Sequence, residues 1–288
     1  MRTHIIEGHR RLETHPFAAD RPSSAHLFYW ARVIVLGSTM NSTKPRLLSI
    51  LNTLAYGMNA LETFGYGPFS SGFTSGQDNA SISQKYQTII TPHGIAFSIW
   101  GLIFISQAIC IVSTLVSDRR MAHPLMVEGV SFWYVAVCLA QTAWSPAFAY
   151  EKIALSAAFM GLILGGLAAI VFRQYNVVTV ILEEEVISGS DYWLLQFPFE
   201  IHYSWIAAAF ALNMNILAVA SGGSAQTQTA VATASLAILA IVSFTCLKIM
   251  KRPQFTLPSV AAWATVSVKY QTPSFCLLYN GRLFTLTV

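Results

Sequence analysis

The sequence predicts an all-α protein, specifically a polytopic transmembrane helix bundle. Hydrophobic residues make up 54% of the chain and charged residues only 10%, with a mean hydropathy of +0.53, whereas soluble proteins carry about 25% charged residues. The stretch Thr91–Ile109 contains no Asp, Glu, Lys or Arg. Its roughly 19 residues are enough to cross a hydrocarbon core of about 30 Å as a helix.

Other apolar stretches of the chain are also long enough to cross the hydrocarbon core as helices. The predicted spans are Leu47–Phe64, Thr91–Val116, Val130–Ala149, Ile153–Phe172, Tyr192–Ala220 and Ala230–Ile249. The first has marginal hydropathy because it contains Asn52, Asn59 and Glu62, so it inserts best when other helices shield it. Leu257–Val268 has only about 12 residues and is either a short seventh span or a surface helix.

These spans divide the chain into four parts. Residues 1–45 form a polar basic tail, in which a short apolar run indicates either an interfacial patch or the weak core of a targeting segment. Residues 46–220 form a five-helix membrane domain, 221–269 add one or two helices, and 270–288 form a C-terminal tail. With the N-terminus on the cytoplasmic side, most Lys and Arg of the loops are cytoplasmic too, as the positive-inside rule favours.

Three of the spans carry an aromatic or polar stripe at helical spacing. The stripes are His93, Phe97, Trp100, Phe104 and Gln107; Trp133, Val137, Gln141, Trp144 and Phe148; and Pro198, His202, Trp205, Ala209 and Asn213. Each stripe suits the wall of a pocket inside a bundle, and it equally suits packing of one helix on another. Gln141, polar at membrane depth, needs a partner from another helix, a ligand or water.

Glu200 and His202 are ionisable residues within the fifth span. Such residues usually face the bundle interior or a cavity and are functional candidates. Alternatively, both lie at the level of the lipid headgroups, where charge costs little, beside an aromatic belt of Tyr192 and Trp193.

The fourth span carries Ala157, Gly161 and Gly165 in small-xxx-small register, which predicts close approach of another helix. A homodimer through the Gly161/Gly165 face is one such arrangement. The acidic run Glu183–Glu185 is typical of a solvated loop.

Several function classes lack their sequence signals. Four cysteines, Cys110, Cys138, Cys246 and Cys276, have no metal-ligand or redox spacing, and no metal site is predicted. A net charge of +4 without a clustered basic face argues against nucleic-acid binding. No catalytic residue is predicted, because nucleophile elbows, HExxH, CxxC and phosphate-binding loops are absent from the sequence.

Three segments carry a family resemblance. They are TPHGIAFSIWGLIF at 91–104, QTAW at 141–144, and PFEIHYSWIAAAFALNMN at 198–215. In order and spacing they resemble motifs of the second, third and fifth helices of the translocator protein family TspO/MBR, also called tryptophan-rich sensory proteins, and in particular its longer TspO/MBR-related members. The chain differs at Gln141, where the family has Asn.

The resemblance implies five family helices over about residues 47–220, followed by one or two extra C-terminal helices. It also implies a pocket for porphyrins or sterols, lined or supported by Phe97, Trp100, Trp144, Trp205 and Asn213. The sterol-contact pattern of the family's last helix is absent there; Leu27, Tyr29 and Arg32 match it before the first span.

The leading hypothesis is therefore a non-enzymatic receptor, sensor or carrier that binds a hydrophobic aromatic ligand, a tetrapyrrole or a sterol-like molecule. The predicted ligand-binding residues are Phe97, Trp100, Phe104, Gln141, Trp144, His202, Trp205 and Asn213. The alternative is a proton-coupled secondary transporter of a small molecule that uses Glu200 and His202. A weak tetrapyrrole-degrading activity is the one enzymatic reading left open by the resemblance.

Overall fold

The computed structural model describes residues 43–66, 79–181 and 187–271, together with two strands at 275–279 and 282–286. The predicted targeting segment, the pattern at Leu27, Tyr29 and Arg32, and the acidic run Glu183–Glu185 lie outside the described residues.

Seven long helices make up most of the described chain. They are α1 (Thr43–Ala60), α2 (Ile99–Val116), α3 (Trp133–Ala149), α4 (Ile153–Asn176), α5 (Phe197–Ala220), α6 (Ala225–Phe244) and α7 (Thr256–Gln271). The polytopic helical bundle predicted from the sequence is confirmed.

Shorter segments join or extend these helices. Short helices lie at Asn79–Lys85, Gly94–Ser98, Asp118–Met121 and Gly189–Asp191. π-Helical segments lie at Leu61–Tyr66, Leu125–Val130, Val177–Ile181, Tyr192–Gln196 and Thr245–Ile249. In the C-terminal tail, β1 (Phe275–Tyr279) and β2 (Arg282–Leu286) pair antiparallel, with Phe275 opposite Leu286. The sequence did not predict this hairpin.

Four of the described helical segments are long and apolar enough to cross a membrane. They are Gly94–Val116, Ile153–Thr179, Gly189–Ala220 and Ala225–Ile249. The pair Asp118–Val130 and Trp133–Ala149 makes a fifth if it counts as one span, although the two parts meet at 69°. Helix α1 does not pass this test, in line with the marginal hydropathy expected from Asn52 and Asn59. The Leu257–Val268 stretch forms part of the shorter helix α7.

Five helices form a ring that is not in sequence order. Helix α1 packs against α2 and α3, α3 against α4, α4 against α5, and α5 closes the ring against α2. Helices α6 and α7 pack on the outer side of α5 and against each other. Ala232 is the one residue of α6 that is buried among those described. The core therefore lies inside the five-helix ring, and α6 presents nearly all of its apolar surface outward, as a lipid-facing helix does.

Local signals in the sequence set where the helices begin. The His93 side chain accepts a hydrogen bond from the Ile95 N–H at the start of the second span, and Ser224 caps α6 by accepting from the Thr227 N–H. Pro198 occupies the first turn of α5, where its missing N–H removes no helical hydrogen bond. Pro198 therefore marks a helix start, and the part of the predicted span before it forms a π-helical turn.

Ion pairs tie the helix ends together. At one end, Lys44 lies 3.3 Å from Glu128, and Arg119 lies 3.2 Å from Asp191. At the other end, Glu151 accepts hydrogen bonds of 2.6 Å from Lys85 and Tyr86. These two bonds lower the pKa of Glu151, and the bond to Glu151 raises the pKa of Lys85. Assignment of the Lys44 end to the cytoplasm remains a prediction.

The glycines of α4 differ in how closely other helices approach them. A Cβ added at Gly166 would lie 2.7 Å from Val137 Cγ2 of α3, whereas one added at Gly165 would have no neighbour within 4 Å. A Cβ at Gly161 would lie 3.5 Å from the Phe210 ring of α5. Of these three glycines, Gly166 has the closest neighbour, and the small-xxx-small register did not select it. Gly161 has a neighbour within the chain, and the homodimer through Gly161 and Gly165 stays a prediction.

We expect Gly166→Ala to lower the free energy of unfolding by about 1–3 kcal/mol, because the stiff Val137 side chain must shift to admit the methyl group. Gly165→Ala is the matched control on the same helix turn. It should be neutral or stabilise by up to about 1 kcal/mol, since Ala favours helix more than Gly does. Thermal unfolding of both variants in detergent tests this, and equal effects would contradict the α3–α4 packing.

Candidate ligand-binding site

Aromatic side chains from three helices meet around Trp100 inside the five-helix ring. The Trp100 ring centroid lies 6.4 Å from Trp144 of α3, 6.4 Å from Trp205 of α5 and 5.9 Å from His202 of α5. All three indoles are at most 5% exposed. We call Trp100, Trp144, Trp205 and His202 the aromatic cluster.

Phenylalanines extend the cluster along the same helix faces. Phe104 lies 6.2 Å from Trp100, Phe97 lies 5.8 Å from Trp205, and Phe148 stacks on Trp144 at 5.3 Å. Members of the stripes on the second, third and fifth spans therefore meet at this cluster. Aromatic pairs at such distances contribute about 0.5–1.5 kcal/mol each beyond area burial.

Several polar atoms of this region are buried without a hydrogen-bond partner in the described part of the chain. They include Nε1 of Trp144, Nε1 of Trp205, Nε2 of His202 and Oε1 of Gln141. An unpaired buried polar atom costs free energy comparable to a lost hydrogen bond, and native proteins usually supply a partner, water or ligand.

The other nitrogen of His202 is held by a hydrogen-bonded chain. Gln107 Nε2 lies 2.9 Å from His202 Nδ1, and the Tyr134 hydroxyl donates to Gln107 Oε1 at 3.1 Å. With Tyr134 donating to that oxygen, the Gln107 amide nitrogen donates to Nδ1, so the neutral ring carries its proton on Nε2. The unpaired Nε2 of His202 is then a third donor beside the two indole N–H groups.

Two other predicted residues lie away from the ring contacts. Asn213 is buried and pairs with Ser156 of α4 at 3.2 Å, while its amide also donates to the Ala209 carbonyl. It joins α4 to α5 about two turns beyond Trp205. Gln141 is buried, one turn before Trp144.

The structure also corrects two residues of the predicted stripes. Trp133 is 44% exposed, whereas its neighbour Tyr134 is 1% exposed and faces the interior. Trp133 is the first residue of α3, so periodicity places it on a face without burying it. His93, at the start of its span, is exposed and caps a helical turn instead of joining the cluster.

Glu200 and His202 belong to different hydrogen-bond networks. Glu200 accepts from Gln196 at 2.7 Å, from Thr256 at 2.8 Å and from Tyr192 at 3.1 Å. Both residues are buried, at 3% and 1% exposure. They point away from each other, as residues two apart on a helix do.

Comparison with known protein families identifies the family of this chain. A family model described as TSPO-like protein matches residues 48–278. The chain belongs to the TSPO-like family. The match begins in α1 and continues past residue 220 across α6 and α7 into β1, so the TSPO-like match includes the two helices outside the ring. Comparison with curated proteins and with solved structures gave no match.

Sequence reasoning missed three contributors to this TSPO-like site. Helical spacing puts Gln107 and Phe148 on their stripes but gives neither a role, and no stripe contains Tyr134. The pairing of Gln107 with His202 joins residues 95 apart in the chain. A buried Gln in an otherwise apolar span is the one signal that could have indicated it, because such a group needs a partner.

Among the described residues, no group of three or more His, Cys, Asp or Glu side chains could hold a metal ion. The chemistry that the aromatic cluster offers is stacking, apolar contact and hydrogen-bond donation.

Proposed function

We propose that this TSPO-like protein binds a hydrophobic aromatic ligand, a tetrapyrrole or a sterol-like molecule, inside the five-helix ring as a receptor, sensor or carrier, without catalysing a reaction. The observation that carries the proposal is the set of three unpaired donors around Trp100, on Trp144, Trp205 and His202. Aromatic walls with a few polar groups are the usual lining of a small-molecule site.

The ring geometry supports a flat ligand. The Trp100 and Trp144 rings are tilted by only 30°, with centroids 6.4 Å apart. Aromatic faces inclined at so small an angle are surfaces on which a flat ligand gains from stacking.

The polarity of the cluster supports a ligand that accepts hydrogen bonds. An indole N–H is a donor only. The His202 ring, in contact with Trp100, carries a third unpaired donor on Nε2. A ligand with carbonyl, carboxylate or hydroxyl oxygens would pair these donors. An entirely apolar ligand would leave them unsatisfied and lose affinity.

The test is titration of the purified protein in detergent with protoporphyrin, followed by the shift of the porphyrin absorbance band. Trp144→Phe and Trp205→Phe retain an aromatic ring and remove one donor each. Each should weaken binding about 2–10-fold, since a net hydrogen bond contributes about 0.5–1.5 kcal/mol.

Trp133→Phe is the matched control, because Trp133 lies on the same helix as Trp144 but is 44% exposed. It should leave the affinity unchanged. Equal affinity for all four proteins, or equal response to an unrelated amphiphile, would contradict a site at the aromatic cluster.

Proton-coupled transport is the second candidate. Glu200 lies within a membrane helix, is buried, and lines a cavity between helices. Uptake into proteoliposomes that follows a pH gradient and is lost in Glu200→Gln would favour it over the receptor. Glu200 and His202 have separate hydrogen-bond partners. The rates of uptake in Glu200→Gln and in His202→Gln should therefore be measured separately, because loss of one proton carrier does not imply loss of the other.

A further inference from the structure

A cavity lies outside the five-helix ring, between the ring and the two C-terminal helices. Its volume is about 250 Å³. The walls come from α4, from the first turns of α5, and from the segment that joins α6 to α7. The lining residues are Ala168, Val171, Phe172, Tyr175, Gln196, Glu200, Tyr203, Ser204, Cys246, Met250, Gln254, Thr256 and Leu257.

This cavity differs from the aromatic cluster in position and in chemistry. None of the four residues of the aromatic cluster lines it. Most of its wall is apolar, and Glu200 is the one carboxylate among its lining residues. Phe172, which is 65% exposed, forms an outer edge at the lipid-facing side of α4.

Glu200 has three neutral donors around it but no cationic partner. Gln196, Thr256 and Tyr192 donate to its two oxygens, and the ion pairs found among the described residues do not include it. Carboxylates within membrane helices usually pair with a positive group. Gln196 Oε1, next to Glu200, is a buried acceptor that also has no partner in the described chain.

We infer that this cavity is a binding site for a lipophilic amine, whose ammonium group pairs with Glu200 and whose apolar body fills the space between α4, α5 and α7. Glu200 lacks a cationic partner and Gln196 Oε1 lacks a donor, so the ligand head that suits both is a positively charged donor. An ammonium group is such a head. The inference does not depend on ligand binding at the aromatic cluster.

The surrounding charges bear on the choice of ligand. Lys251 and Arg252 neighbour the cavity wall in sequence, and the Lys251 N–H donates to the Tyr175 hydroxyl, but neither side chain lines the cavity. An anionic lipid placing its headgroup near them is the competing occupant. An anion drawn further in would meet the Glu200 carboxylate, which repels it.

The experiment uses the full chain in phosphatidylcholine nanodiscs and a dodecylamine that carries a diazirine on its chain. After irradiation, peptide mapping by mass spectrometry locates the label. The alcohol and the carboxylic acid of the same chain are the matched probes. We expect the amine to label residues around 168–175 and 250–257. The acid should label them at least about tenfold less, because its carboxylate is repelled by Glu200 whereas the ammonium group of the amine pairs with it.

Two variants test the assignment from different sides. Glu200→Gln keeps the shape of the side chain and should reduce amine labelling about tenfold, since hydrogen bonds to a charged group contribute about 1.5–3 kcal/mol. Ala168→Leu fills the cavity while Glu200 stays intact, and it should also reduce labelling. If Glu200→Gln does not fold, Ala168→Leu alone decides.

Two control variants make the same kinds of substitution, loss of a carboxylate and gain of side-chain volume, at positions that do not line the cavity. Glu128→Gln removes an exposed carboxylate near the same end of the bundle, and Leu162→Phe enlarges an exposed position of α4. Both should label like the parent protein. Equal labelling by amine and acid, stronger labelling by the acid, or unchanged labelling in both Glu200→Gln and Ala168→Leu would overturn the inference.

Discussion

Trp100→Ala is expected to lower the free energy of unfolding by about 3–5 kcal/mol, the usual cost of truncating a buried aromatic residue. The ring is 4% exposed and contacts Phe104, Trp144, His202 and Trp205. Its loss opens a void where three helices meet, because its neighbours belong to different helices and cannot all close on the gap.

Thermal unfolding in detergent, followed by near-ultraviolet circular dichroism, measures this effect. A loss of that size corresponds to a fall in Tm of about 6–20 °C for a chain of this length class. Protoporphyrin binding should weaken more in Trp100→Ala than in Trp144→Phe or Trp205→Phe, since stacking surface is lost along with the shape of the site.

Two controls separate the position of Trp100 from the loss of any tryptophan. Trp193→Ala removes an indole that is 60% exposed and should change Tm little. Trp100→Phe retains a ring and should recover more than half of the loss. If Trp193→Ala destabilises as much as Trp100→Ala, the aromatic cluster is not the centre of the core.

Part of this site follows from the sequence because helix geometry is local. Phe97, Trp100 and Phe104 recur at three and four residues, and this alone places them on one face. The same holds for Trp144 with Phe148, and for His202 with Trp205. A bundle that must bury polar groups turns its most polar and aromatic faces inward, so convergence of these stripes could be expected.

The order of the helices around the ring is not local information. Nothing in the periodicity of α2 and α5 states that they are neighbours, yet their contact closes the ring and brings Gln107 to His202. The same limit explains why Trp133 shares a stripe with Trp144 and is nevertheless 44% exposed. Periodicity gives the angular position of a residue, whereas burial depends on which partner helix reaches that depth.

Close packing is a second property that sequence spacing leaves undetermined. Gly165 and Gly166 are adjacent and chemically identical, yet only Gly166 has Val137 against it. The cavity at Glu200 likewise depends on where the segment joining α6 to α7 lies against α4. Sequence alone identified Glu200 as a candidate but not the apolar space beside it.

Gln107→Leu is the substitution with the second large expected effect. It removes the partner of His202 Nδ1 and of the Tyr134 hydroxyl, which are both 1% exposed. Each buried polar group left unpaired costs about 1–3 kcal/mol, so we expect a loss of about 2–6 kcal/mol in the free energy of unfolding. Thermal unfolding in detergent measures the loss.

The double variant Gln107→Leu with His202→Phe distinguishes an unpaired polar group from simple loss of packing. Replacing both partners by apolar groups of similar shape can be nearly neutral, because no desolvated group remains. The double variant should therefore be more stable than Gln107→Leu alone, and Tyr134→Phe should cost only about 0.5–1.5 kcal/mol. Additive losses from Gln107→Leu and His202→Phe would mean that the 2.9 Å contact does not couple α2 to α5. The position of His202 in the aromatic cluster would then rest on its ring contact with Trp100 alone.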